Sequence, residues 1–170
     1  MLTNAAQLNG GTPLYTREQR ERRDSTAWTT VQGVLAPVQF LIFLVSLFLI
    51  VRYFLTGEGY LIATVSIIIK TLALMTIMVT GAIWEKVVFG QYLLAPQFFW
   101  EDVVSFFVIA LHLAYVMVLL GDFFSNDSKM WLALCAYSLY LINAIQFLLK
   151  LRAARLLQAS MKEHESEVIA

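Results

Sequence analysis

Five ionisable side chains stand out because the chain around them is so apolar. Lys70 sits in "VSIIIKTLALM" and His112 in "FFVIALHLAYV". Each lies about ten residues from the nearest polar boundary, so a rise of 1.5 Å per residue puts both roughly 15 Å deep, near the middle of a bilayer core. At that depth an ionisable group marks a substrate, ion or proton site, unless it serves as a neutral hydrogen-bonded link between helices. Glu85, Glu101 and Asp102 belong to a phrase that occurs twice, Trp84-Glu85-Lys86-Val87-Val88 and Trp100-Glu101-Asp102-Val103-Val104, on either side of the uncharged stretch Val87–Phe99. Clustered carboxyls supply what general acid–base chemistry needs. A helix dipole and an interfacial aromatic belt account for acids and Trp at a helix start. They do not account for Glu85, which falls at a helix end where the dipole disfavours an anion.

The elements that must hold these groups follow from hydropathy. The chain is 59% hydrophobic and 14% charged, with mean hydropathy +0.71 and no formal net charge, far more apolar than a soluble domain. Four stretches are long enough to cross a bilayer: Val31–Leu55, Tyr60–Trp84, Val103–Gly121 and Met130–Leu149. Thr56-Gly57-Glu58-Gly59, Gly90 with Pro96, and Gly121 through Ser128 separate them. The expected fold is all-α, a polytopic four-helix membrane bundle spanning 31–150, with a polar tail at 1–30 and another at 151–170. No cleavable leader is evident, so the first span is expected to stay in the membrane. Nine of twelve Lys and Arg lie in the two tails and the middle connection, which places both termini and that connection in the cytoplasm. Pro37 falls inside the first span, where it either kinks the helix or is an ordinary membrane proline.

Helical spacing then groups the polar residues. Glu101, Ser105, Val108, His112 and Tyr115 share one face of the third span. Lys70, Ile77, Gly81 and Trp84 form a stripe on the second, Gln32, Ala36, Gln39, Phe43 and Ser46 on the first, and Tyr140, Asn143, Gln146 and Lys150 on the fourth. Facing stripes would enclose a cleft open to the cytoplasm, with carboxylates at its mouth and the apolar hairpin 87–99 as its lip. Glu101 and Asp102 diverge by about 100° around the helix, so Glu101 is the one on the His112 face. Phosphate loops, nucleophile elbows and metal-binding spacings are absent, and a single cysteine, Cys135, excludes an internal disulfide. No basic block suggests nucleic acid. Gly33, Ala36, Gly81 and Ala82 would permit close packing within a chain or in a homo-oligomer. A non-catalytic pigment-binding or anchor subunit is the main alternative to an enzyme, and a small transporter a weaker one.

"PLYTREQRERRDSTAWTTVQGVLAPVQFLIFLVS", "RYFLTGEGY", "KTLALMTIMVTGAIWEKVVFGQYLLAPQFFWEDVVS" and "NAIQFLLKLRAARL" together resemble the 3-vinyl bacteriochlorophyllide hydratases of phototrophic bacteria, from Pro13 to Leu157. The resemblance implies a lyase of bacteriochlorophyll biosynthesis that adds water to the C3-vinyl group of a magnesium chlorin, in the bacterial inner or intracytoplasmic photosynthetic membrane. It implies no cofactor, since the substrate carries its own magnesium. Hydration would need a proton on the terminal vinyl carbon and a group to orient water. Glu101 is the expected acid, with Glu85 or Asp102 receiving the water proton. His112 would ligate the substrate magnesium or polarise water, and the chain needs no metal of its own. Lys70 and Tyr115 would bind a ring carbonyl or the propionate, and Arg22 and Arg23 are further propionate partners. Trp84, Trp100, Asn143 and Gln39 would line the site.

Overall fold

The computed structural model describes residues 14–169, with side chains described up to residue 157 and at 159 and 160. Lys162, counted in the charge asymmetry, lies outside the described side chains. Five helices follow in chain order: α1 (Arg17–Ser25), α2 (Ala27–Thr56), α3 (Tyr60–Phe89), α4 (Phe99–Leu120) and α5 (Asn126–Ile169). The last four each carry a stretch long and apolar enough to span a bilayer. The chain is a multi-pass membrane protein.

The spans extend beyond the apolar segments because polar turns at their ends continue the helix. Thr26 starts α2 by accepting the Trp28 amide on its hydroxyl, and Gly57 ends it at φ 73°, a left-handed conformation that glycine adopts without strain. Pro37 lies within α2 without ending it. Part of the expected N-terminal tail is helical: Thr16 and Gln19 form a reciprocal capping box that starts α1. At the other end α5 passes through position 150 without a break.

α2 packs closely along α3, and α4 along α5, giving two helical hairpins. The hairpins meet more sparingly, α2 against α5 and α3 against α4. Burial follows a single face of each helix: Gln39, Phe43, Ser46, Ile50 and Tyr53 on α2, and Glu101, Ser105, Val108, His112 and Tyr115, together with Asp102, on α4. Aromatic contacts close the centre, with Phe43 5.3 Å from Tyr137 and 4.9 Å from Tyr140 between ring centroids. The Ser46 hydroxyl lies 2.6 Å from the Tyr137 hydroxyl and 2.7 Å from Ser66, linking α2, α3 and α5 through polar atoms that lipid would not satisfy. Leu41, Val45, Phe48 and Leu55 on the opposite face of α2 are exposed, as a lipid-facing surface requires. Ala36 is exposed too, and so leaves the stripe it was expected to join. Gly81 faces Gln32 of α2, whereas nothing approaches Gly33.

Candidate active site

The connection between α3 and α4 is built around two carboxyl groups. Gly90, at φ 88°, stops α3, its amide donating to the Lys86 carbonyl. The chain then folds back over the helix ends, with Leu94 at φ 59° and a tight turn in which the Phe98 amide donates to the Ala95 carbonyl at 2.8 Å. Beneath this turn lie Glu85 and Asp102, 5% and 3% exposed. The Leu94 amide donates to Asp102 Oδ2 at 2.7 Å and the Ala95 amide to Glu85 Oε2 at 3.3 Å. The two carboxyls are also within hydrogen-bonding reach of one another. Two anions so placed would repel; one proton between them turns the contact into a hydrogen bond. Each carboxyl is therefore anchored by a backbone N–H on one side and faces its partner on the other.

Glu101 faces a different helix. Its Oε2 lies 2.5 Å from Lys150 Nζ of α5, and the same ammonium donates to the Gln97 carbonyl. Asn143 Nδ2 donates to the Glu101 carbonyl at 2.9 Å, and the Ser105 hydroxyl bridges that carbonyl and Asn143 Oδ1. The roughly 100° step between Glu101 and Asp102 thus points one acid at α5 and the other at α3.

At the same end, α1 packs on α3. The Tyr15 ring stacks on Phe89 at 5.8 Å, and the Arg23 guanidinium lies 4.7 Å over that ring. Arg23 also pairs with Asp24 at 2.7 Å, which holds the Asp24 carboxyl below its ordinary value, while burial pushes the Tyr15 phenol up. Arg22 stays exposed. Trp84 Nε1 donates to the Thr29 hydroxyl at 2.9 Å and so ties α3 to α2. Trp100 is 69% exposed, a lipid-facing position outside the carboxyl cluster.

Deeper in the bundle lies a second polar group. Lys70 is fully buried, its Nζ 3.6 Å above the Tyr140 ring and without a hydrogen-bond acceptor. His112 stacks against Tyr137 at 5.7 Å, and its Nδ1 lies 2.8 Å from the Val108 carbonyl. A carbonyl can only accept, so Nδ1 carries the proton and Nε2 presents a free lone pair. Among the described residues, Nε2 and Gln39 Nε2 are buried without a partner, and the Tyr115 and Thr64 hydroxyls are buried with at most one another as partner.

A family model for 2-vinyl bacteriochlorophyllide hydratase (BCHF) matches residues 15–153. The chain belongs to this hydratase family. It is 62% identical over 159 residues to the 2-vinyl bacteriochlorophyllide hydratase of Rhodobacter capsulatus, covering 94% of this chain and 92% of that one. To the protein of the same name from Cereibacter sphaeroides it is 65% identical over 143 residues, 84% of this chain and 89% of that one. No solved structure matches it.

For this member of the hydratase family, the structure gathers the expected site residues into two groups. Glu85, Asp102, Glu101 and Asn143 meet near the 90–98 connection, and Lys70, His112, Tyr115 and Gln39 belong to the interior. Arg23 belongs to the α1 latch. Sequence reasoning missed the Leu94 and Ala95 amides, which leave no side-chain signal. It placed Lys150 on a polar stripe without pairing it to Glu101; the coincidence of both residues at the same end of neighbouring spans was the available clue.

Proposed function

We infer that the protein is a hydro-lyase that adds water across the vinyl group of a magnesium bacteriochlorophyllide, giving the 1-hydroxyethyl derivative, with Glu85 and Asp102 as its acid–base pair. The observation that carries the assignment is the meeting of these two buried carboxyls beneath the 90–98 connection, each anchored by a backbone N–H. Glu101 suits the acid role less well, because its carboxyl is already engaged by Lys150 Nζ of α5.

The chemistry balances around a single shared proton. The protonated carboxyl gives its proton to the terminal vinyl carbon, whose π pair forms the new C–H bond. The cation left on the inner carbon is delocalised into the macrocycle. A water oxygen attacks that carbon and surrenders a proton to a carboxylate of the pair. The pair again holds one proton, and transfer across the Glu85–Asp102 contact resets it. The Leu94 and Ala95 amides steady whichever carboxyl is ionised. Because both acids lie under the 90–98 connection, that segment must shift to admit the vinyl group.

His112 Nε2 is the lone pair best placed to take the substrate's magnesium as an axial ligand, and the protein needs no cofactor of its own. Charge asymmetry supports an orientation with both termini in the cytoplasm, and the substrate points to the photosynthetic membrane of a phototrophic bacterium. The test is to incubate the purified protein in detergent with magnesium 3-vinyl bacteriochlorophyllide. A pigment mass gain of one water with a blue shift of the long-wavelength band is expected. Tight retention of unchanged pigment would sink the hydratase reading in favour of a binding subunit.

A further inference from the structure

We propose that Lys70, with Tyr115 and Thr64, recognises the carbonyl groups on the isocyclic ring of the chlorin, which makes this interior cluster the determinant of substrate orientation. The inference rests on the hydratase reading above and extends it to the far edge of the substrate.

Lys70 and Tyr115 are 0% exposed, His112 1% and Thr64 6%. Among the described residues neither Lys70 Nζ nor His112 Nε2 has a hydrogen-bond partner, and the Tyr115 and Thr64 hydroxyls have at most one another. Buried polar groups are almost always partnered, and a bilayer interior offers no alternative. The Tyr140 face attracts the Lys70 amino group electrostatically but supplies no lone pair for its N–H bonds. None of the salt bridges among the described residues involves Lys70.

Lysine, tyrosine and threonine offer hydrogens, whereas the one unprotonated nitrogen, on His112, suits a metal. The complementary ligand carries oxygen acceptors and a coordinatively open metal. A magnesium chlorin has both: its isocyclic ring bears a keto group and a methyl ester, and its magnesium takes an axial ligand.

On α4, His112 follows Asp102 by ten residues, roughly 15 Å along the axis, and its ring leans back toward Asp102 to reach the Val108 carbonyl. The vinyl group and the isocyclic ring sit on opposite sides of the macrocycle. A chlorin standing on edge between the two hairpins, with magnesium at His112 and vinyl at the Glu85–Asp102 pair, therefore turns its keto group inward, toward Lys70 and Tyr115.

The test compares equilibrium binding, by fluorescence, of two magnesium chlorins that differ only in whether the isocyclic keto group is present or replaced by a methylene. The detergent-purified full-length protein is expected to prefer the keto pigment by about tenfold or more, the effect of one hydrogen bond from a buried donor. Lys70→Met should bind both pigments equally. Tyr115→Phe, which keeps the ring and removes only the hydroxyl, should narrow the preference, and it carries the test if Lys70→Met fails to fold. Equal binding of the two pigments by the unaltered protein, or an undiminished preference in the variants, would overturn the proposal. Water addition is read separately by pigment mass, so a failed hydratase reading and a failed carbonyl site give different results.

Discussion

The acid–base pair predicts a specific pattern of non-additivity. In Glu85→Gln the amide oxygen can still accept the Ala95 N–H and the amide nitrogen can donate to Asp102, so the contacts that now hold the turn at 2.7 and 3.3 Å remain available. Stability should therefore change by less than about 1 kcal/mol. What is lost is the proton that passes between the two groups. Removing a general acid or base lowers the rate about 10²–10⁴-fold, equivalent to roughly 3–5 kcal/mol in the barrier at 1.36 kcal/mol per tenfold. Asp102→Asn should cost about the same. Since the two carboxyls work as one unit, the double variant should be little slower than either single one, whereas independent contributions would multiply. The assay is initial rate of water addition by pigment mass, alongside thermal unfolding followed by circular dichroism. The reasoning fails if the double variant loses the product of the single losses, or if Glu101→Gln, still folded, loses as much activity as Glu85→Gln.

Three further outcomes follow from the contacts around the site. Lys150→Met leaves the Glu101 carboxylate and the Gln97 carbonyl without their shared donor and should cost about 2–3 kcal/mol of stability, seen as a lower midpoint in detergent thermal melts. Ser46→Ala removes the hydroxyl that joins Tyr137 to Ser66 and should cost about 1–2 kcal/mol, with a smaller effect on activity than any change at Glu85 or Asp102. For Asp24 the folded-state value is depressed by Arg23, so its contribution is present above the ordinary carboxylate range and fades as pH falls through the depressed value. α1 should accordingly loosen from α3 in acid, reported by Trp84 fluorescence, since Trp84 packs edge-on against the Phe89 ring on which Tyr15 stacks, and Asp24→Asn should remove that pH dependence.

Much of the architecture could be read from spacing, because in a bilayer both the length of a span and the polarity of its faces are tightly constrained. The α4 stripe Glu101, Ser105, Val108, His112 and Tyr115 is buried throughout, and Lys70 is as enclosed as its depth implied. The assignment of chemistry to individual acids was less legible. Glu101 and Asp102 are adjacent and alike in type, and what separates them is a lysine 49 residues along the chain on one side and the Leu94 backbone amide on the other. The Leu94 amide reaches Asp102 only because a leucine adopts φ 59°, a conformation for which the sequence offers none of the usual glycine or asparagine signals. The clue that did exist was energetic. Glu85 sits at the C-terminal end of α3, where the helix dipole opposes a negative charge, and Lys86 beside it donates to the Gly90 carbonyl. A carboxyl in such a place needs another source of stabilisation, and the structure supplies it as a backbone N–H and a second carboxyl able to share a proton. The residue that helix electrostatics could not explain is thus one of the two to which proton transfer is assigned in our proposal.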